Sequence, residues 1–504
     1  MESFLTHYKN SLYILLLTLT MAGVSCTSSS SPSPSAVTLT EHSKIIEVSI
    51  PSYSNNAIIA MNISKTNSSP EESGPLIGLS LSSQGLHALN ISHEPPVLPD
   101  LPKDHSFGRQ SNAIQPLMST VSPQFSIDSL THETTTYNFV VRRLSDASDE
   151  GTKSVLATLK YGTQGSNCLI YLDDSVTTSF TDWETLGNFC DASVSTIITT
   201  FVPDCEPKTD NNCDVDGNQK DIVLYYSFTS SISGYVHPID LLDAASVNSY
   251  NAIHSTNHPV IQKEILHLNS SLLDDTITTD NKQTLAHEYQ HIVSNHQRIK
   301  QGSNGNFTSF ETWIEEGLAD SASHICLNAP ISSRLDYFTT DPNLNSIRNG
   351  IGFIKWTSQV ENYTLSYLFF QYCRIHSNLG NGLFNAIQNQ TLRDYQAVEN
   401  AMSGTHIAFG NFDDILRSFH IATVVNSTAT NSIYGFKDEP GFNFTSPPAG
   451  TSNTTKTIYP GGRVIMYPDA NAQASFMPSD SGDNIRFYRI NTAGVATPDI
   501  TEDI

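Results

Sequence analysis

Thr284-Leu285-Ala286-His287-Glu288-Tyr289-Gln290-His291-Ile292-Val293 is the stretch whose reading decides the rest of this 504-residue chain. It carries H-E-x-x-H in a segment that reads as helix. Leu285, Tyr289, Ile292 and Val293 recur at helical spacing as an apolar face. His287 and His291 project from another face, one turn apart, so both imidazoles can reach one ion. Neutral imidazole suits zinc. Glu288, beside the first histidine, is placed to take a proton from metal-bound water. The plain alternative is a surface helix that happens to hold two histidines and a glutamate. Asp280 to Gln283 fits the D-x-x-Q form of a capping box, and Gly302 offers a stop.

The third ligand has to come from elsewhere. The longer motif H-E-x-x-H-x-x-G-x-x-H is excluded on spacing: Ser294 stands at its glycine, Gln297 at its last histidine, and His296 is one residue out of register. Downstream lies Thr308-Ser309-Phe310-Glu311-Thr312-Trp313-Ile314-Glu315-Glu316-Gly317-Leu318-Ala319-Asp320. Thr308 with Glu311 reads as a second capping box, opening a helix that runs toward Asn328. Glu316 and Asp320 are i and i+4 and point the same way. A carboxylate from a second helix completes a His2Glu site, and Asp320 is placed to accept the free ring N–H of a ligand histidine. Glu315 is the rival ligand, without a carboxylate four residues on. Gly317 reads as the small residue that lets the two helices approach around the metal.

These residues resemble the gluzincin zinc metallopeptidases, the thermolysin-like class, and most closely the hyicolysin-type neutral metalloproteases of bacteria. Cys168-Leu169-Ile170-Tyr171-Leu172-Asp173-Asp174, Asp214-Val215-Asp216-Gly217-Asn218 leading into Ile222 to Tyr226, Glu264 to Asn269, and Tyr363 to Phe370 fit the narrower group. The resemblance spans about residues 150 to 430. It implies an α+β catalytic domain, a mixed sheet with an edge strand plus a helical lobe carrying H-E-x-x-H, holding Zn2+ on His287, His291 and Glu316. It also implies that the strand at Glu264 to Asn269 is the sheet edge that pairs with extended substrate backbone, the alternative being an ordinary interior strand.

Around this core the expected organisation is 1–26 signal peptide, 27–36 Ser/Pro tether, 37–150 β-rich region, 151–430 catalytic domain and 431–504 small β-rich region. His7 and Lys9 precede an apolar run from Leu12 to Val24, too short to span a bilayer. Ala22-Gly23-Val24-Ser25-Cys26 resembles a lipoprotein signal, with Cys26 the lipidation site, although Gly23 stands where such signals carry leucine; the alternative is an ordinary cleaved signal peptide ending near the same point. The tether that follows cannot pack a core. Residues 92–125 read as a long loop or linker. A formal net charge of −24 and the lack of basic clusters argue against a nucleic-acid partner.

Asp214, Asp216 and Asn218 have the alternate oxygen spacing of a calcium loop, but Tyr225 stands where its closing glutamate belongs, so a turn into a strand is the better reading. Residues 363–376 read as an apolar helix, and Tyr363 and Tyr367 are candidates to hold the oxyanion of a tetrahedral intermediate. His258, His267, His296 and His324 read as packing or surface residues. With Cys26 reserved for lipid, sequence order suggests Cys168–Cys190, Cys205–Cys213 and Cys326–Cys373 among the 15 possible pairings of six cysteines. Asn62, Asn306 and Asn362 sit in N-x-S/T sites.

The sequence thus points to a secreted or surface-anchored zinc endopeptidase acting on protein or peptide substrate, anchored to a membrane by lipid. The competing class is a non-catalytic surface lipoprotein or adhesin that retains the fold.

Overall fold

The computed structural model describes residues 39–42, 45–49, 56–65, 135–145, 148–162, 165–205, 214–227, 232–254, 257–301, 308–340, 347–442, 458–466, 473–476, 485–491 and 500–502. Expectations placed on residues 1–36, Cys26, residues 92–125, Cys213, Gly302 and Asn306 lie outside these. Along the chain come β1 (Leu39–His42), β2 (Ile45–Ser49), β3 (Asn56–Asn62), β4 (Thr136–Ser145), β5 (Ser148–Tyr161), β6 (Cys168–Asp173), α1 (Trp183–Phe201), β7 (Asp221–Tyr226), β8 (Gly234–Tyr235), α2 (Ala244–His254), β9 (Ile265–Asn269) and α3 (Thr279–Gln301). Then follow α4 (Thr312–Leu327), α5 (Ser332–Thr340), α6 (Val360–His376), α7 (Gly382–Gln388), α8 (Tyr395–Met402), α9 (Phe412–Val425), β10 (Arg463–Met466), β11 (Gln473–Phe476), β12 (Ile485–Asn491) and β13 (Ile500–Glu502). The fold is mixed α+β.

Six strands form a mixed sheet in the order β4-β5-β6-β7-β9-β8. β6, β7 and β9 run parallel, and β8 closes against β9 antiparallel. Every residue of those three parallel strands is buried, as parallel strands covered on both faces require. Cys168, Ile170, Val223, Tyr225, Leu266 and Leu268 face the helical side, in one core with residues of α1 and α3. Leu169, Tyr171, Ile222, Leu224 and Ile265 pack on the other side against Phe139, Val141, Val155 and Ala157. The strand at Ile265–Asn269 is therefore interior, not the edge. The outermost position on this side belongs to β8, two residues long, which pairs Gly234 with Leu268 and Tyr235 with His267, and β4 is outermost on the other.

Cys168 and Cys190 form the expected disulfide and tie β6 to α1. Cys205 is disulfide-bonded as well. The expected Cys326–Cys373 bridge is absent and both thiols are free. Cys326 lies beside Ser193 of α1, whereas Cys373 is enclosed in the core on α6.

The helical lobe is assembled around Trp313 of α4. Its ring meets those of Phe353, Phe369, Phe370 and Phe412 at centroid distances of 5.4 to 5.9 Å. Gly317, one turn along, faces α6 rather than α3. A Cβ there would fall 2.2 Å from the Phe370 ring and 2.6 Å from Ser366 Oγ. Among the described residues no helix is long and apolar enough to cross a membrane.

The two flanking β-rich stretches are not separate modules. β3 pairs with β10 and β12, and β2 with β11, all antiparallel. A short strand leaves its backbone edge unpaired on its own, and each stretch supplies the partner the other lacks. Ile59, Met61, Ile465 and Tyr488 pack on Ile421 and Val424 of α9. The boundary expected at residue 150 falls inside β5, whose partner β4 joins the main sheet. Asn62 and Asn362 are buried, and their amide N–H groups are committed to Ile458 O and Gly352 O, so neither presents a glycosylation site.

Gly317→Ala should cost about 1–3 kcal/mol through overpacking against Phe370, read as a lower Tm, whereas a Tm equal to wild type would contradict the close α4–α6 packing. Burial holds His324 and His376 down at about 4. The unfolded chain takes these protons near pH 6.5 and the folded chain does not. Stability should therefore be full above about pH 6.5 and decline as pH falls toward 4, by up to about 1.4 kcal/mol per unit from each group. Denaturant titrations at pH 7 and pH 5 check this: His376→Gln should show a smaller difference than wild type, and an identical one would refute it.

Candidate metal centre

α3 presents two faces. Leu285, Ala286, Tyr289, Ile292 and Val293 enter the core. Tyr225 of β7 donates to Asn281 Oδ1 at 2.8 Å, and Tyr289 donates to Asp221 Oδ2 at 3.2 Å. These bonds fix the rotation of the helix over the sheet. The helix start differs from expectation: the Thr278 hydroxyl, not Asp280, accepts the first free N–H, from Asn281 at 3.1 Å.

On the opposite face His287 and His291 meet α4. His287 Nε2 lies 3.0 Å from Glu316 Oε2 and 3.3 Å from His291 Nε2, which is itself 3.7 Å from Glu316 Oε1. All three ligand atoms fall within 4.8 Å of one another. His287 Nδ1 lies 3.0 Å from Asp320 Oδ1. A carboxylate only accepts, so Nδ1 carries the hydrogen and Nε2 turns its lone pair toward Glu316. Two ring nitrogens and a carboxylate converging in a buried space are the donors a borderline divalent ion takes. His287 and Glu316 are almost fully enclosed, while the His291 side chain is 16% exposed, so the centre opens on that side.

Arg334 of α5, which the sequence reading missed, donates from Nε to Asp320 Oδ2 at 2.9 Å. Burial alone would raise the Asp320 carboxyl; Arg334 and His287 overcome it and hold the group down at about 2. Nothing in the spacing marks Arg334, which reaches α4 from the next helix.

The rival Glu315 is turned away. It accepts from Phe310 N and from Ser294 Oγ, each at 2.9 Å. It therefore ties the helix to the residue ahead of its N-cap; the cap expected of the Thr308–Glu311 pair is not made, because Glu311 forms no side-chain cap bond and receives Trp313 Nε1 at 2.8 Å instead. The helix ends at Asn328 in the left-handed conformation, where it was expected to stop.

Glu288 is buried beside β8. A Cβ on Gly234 would lie 3.1 Å from Glu288 Cγ and 2.7 Å from Leu268 Cδ2. A Cβ here would press on both side chains, so glycine eases the close approach of this strand, which was the available signal in Ser233-Gly234-Tyr235. Tyr367 does not reach the centre: its hydroxyl is held by His324 Nδ1 at 2.9 Å and Ile331 N at 3.1 Å. Tyr363 packs its ring under the Arg334 guanidinium, 4.9 Å away, and edge-on to Trp356. His267 is a packing residue, donating to Asp240 at 3.0 Å and stacked on Tyr235.

Such a donor set on two helices is that of a divalent-metal site, and the chain has a relative of matching class. It is 26% identical over 346 residues to neutral metalloprotease ShpI of Staphylococcus hyicus, a stretch covering 66% of this chain and 72% of that protein. This relates the chain to the bacterial neutral metalloproteases. No protein-family model matches.

Asp320→Asn should weaken metal affinity roughly 10- to 100-fold by releasing the His287 ring, while Glu315→Gln should leave it near wild type. Competition with a chromogenic chelator measures both, and the reverse order would overturn the assignment of Glu316 over Glu315.

Proposed function

We propose that this protein is a zinc-dependent endopeptidase with a gluzincin-type catalytic region at about residues 151–430 and β4 and β5 extending its sheet. The observation that carries this reading is the convergence of His287 Nε2, His291 Nε2 and Glu316 within 4.8 Å, with Glu288 next along the same helix. The relative's name, a neutral metalloprotease, supports it.

His287, His291 and Glu316 would hold Zn2+, which when bound would supply Lewis acidity to a carbonyl and lower the pKa of a water toward about 7. The chain's own residues do the rest. Asp320, neutralised by Arg334, holds His287 in one tautomer. Glu288 accepts a proton from the attacking water and returns it to the leaving amine. β8, outermost in the sheet and in contact with Glu288 at Gly234, pairs with extended substrate backbone; such pairing reads main-chain groups and suits broad specificity. Of the two tyrosines expected at the oxyanion, we retain Tyr363, whose ring carries Arg334, and drop Tyr367. Export of the chain, the Ser/Pro tether at 27–36 and a lipid on Cys26 belong to the same proposal and rest on residues 1–36 alone.

Glu288→Gln tests the reading. The amide fills nearly the same volume but cannot accept a proton and return it. Zinc content should stay at wild type while peptide hydrolysis falls by about 10²–10⁴-fold or more. Unchanged hydrolysis with zinc retained would sink the mechanism; a partner bound equally by both forms, with hydrolysis by neither, would favour an adhesin.

A further inference from the structure

β8 is only two residues long, yet it closes on the residue of α3 that follows His287. On its helical face Gly234 approaches the stem of Glu288 and the side chain of Leu268, its partner in β9. On the opposite face Tyr235 lays its ring flat on that of His267, with 4.4 Å between centroids and 7° between planes. The start of the strand is tethered through Asn269, whose N donates to Ser233 O at 2.7 Å and whose Nδ2 donates to Ile232 O at 3.2 Å. Backbone pairing this short does not hold a strand by itself, so side chains fix its depth.

Those side chains form one buried group. His267 Nε2 lies 3.0 Å from Asp240 Oδ2, and its Nδ1 lies a longer 3.4 Å from the Tyr226 hydroxyl, which is 2.8 Å from that of Tyr235. All four residues are buried. The bonds agree in one direction. A carboxylate only accepts, so Nε2 carries the hydrogen, Nδ1 accepts from Tyr226, and the Tyr226 oxygen accepts from Tyr235. Asp240 lies in the single turn Pro238–Leu241 that follows β8, and its backbone O accepts Lys263 N at 2.8 Å. His267 therefore holds β8 twice, by its stack on Tyr235 and by its bond to Asp240 on the chain that leaves the strand.

We propose that His267, acting through Tyr235 and Asp240, is a positioning residue for Glu288: it sets the depth of β8, and β8 is the wall on which the Glu288 stem rests. The inference rests on the peptidase reading, in which Glu288 is the base. The backbone of Glu288 is already fixed, because α3 is pinned to β7 by Tyr225 and Tyr289. What stays variable is the side chain, whose rotamers are many unless neighbours exclude them. Gly234 fills the space on one side of that stem. A catalytic group displaced by about 1 Å can lose about 100-fold in rate, so the depth of a two-residue strand matters to the chemistry. Tyr235 and His267 lie on the face of the sheet away from α3, and they act on Glu288 through Gly234.

Three variants of the full chain test this. Tyr235→Leu and His267→Gln remove the ring stack, the latter keeping a donor for Asp240, whereas Tyr235→Phe keeps the ring and loses only the hydroxyl. Loaded with zinc, Tyr235→Leu and His267→Gln should lose roughly 10- to 100-fold in kcat with KM near wild type, and Tyr235→Phe should recover most of that loss. Zinc affinity, measured by chelator competition, should stay at wild type in all three. Hydrogen exchange should quicken at residues 234–236 of Tyr235→Leu and not along α3. A folded Tyr235→Leu chain with faster exchange at 234–236 and wild-type kcat would overturn the inference and leave the peptidase reading standing. So would a loss confined to KM, zinc lost together with activity, or a Tyr235→Phe chain as slow as Tyr235→Leu. A wild-type chain that hydrolyses no peptide would remove the peptidase reading and this inference with it.

Discussion

The Asp320 carboxylate is the contact on which the geometry of the candidate metal centre depends. It is fully buried, and a buried carboxylate is tolerated only when both oxygens are engaged by charge or strong donors. Oδ1 takes the His287 ring N–H and Oδ2 takes the Arg334 guanidinium. Because Arg334 in turn lies over the Tyr363 ring, one carboxylate links α3, α4, α5 and α6. Its effect on chemistry is directional. With Nδ1 committed, His287 has only Nε2 to offer, and that nitrogen faces Glu316 and His291.

The surrounding packing makes this geometry hard to distort. α3 is pinned to β7 by Tyr225 and Tyr289 on its apolar side, so its polar side has no freedom to rotate away from α4. α4 is seated on α6 through Gly317 and held at its start by Glu315 reaching back to Phe310 N. That use of Glu315 also decides which of two adjacent glutamates is left for the metal: the two point about 100° apart on a helix, and only one can face α3.

What was legible in the sequence was local. His287 with His291, and Glu316 with Asp320, are i,i+4 pairs, and a helix brings such residues together whatever surrounds it. The Cys168–Cys190 bridge joins a strand to the helix that follows it. What was hidden was non-local. The pairing of β2 and β3 with strands more than 400 residues later leaves no mark on either segment. A two-residue strand such as β8 has no periodicity to read, so the family resemblance alone puts β9 in the outermost position. The capping boxes failed because neighbouring polar side chains compete for the same N–H groups: Thr278 takes the one expected of Asp280, and Glu311 is spent on Trp313 Nε1. Tyr367 has the right residue type near the centre, but its hydroxyl is spent on His324 and Ile331.

The direction of approach to the centre follows from these same constraints. Glu316 and His287 are closed off by α4 and by Asp320, and Glu288 is covered along its stem by Gly234 of β8. His291 alone keeps part of its ring in contact with solvent. Sites built on helices and strands already locked by packing hold their groups more closely than loop-built ones. Here that rigidity comes from residues that never touch a substrate: Arg334, Glu315, Gly317 and the two tyrosines under α3. A substitution at any of them would act on the His287–His291–Glu316 geometry by shifting a helix rather than by removing one of its groups.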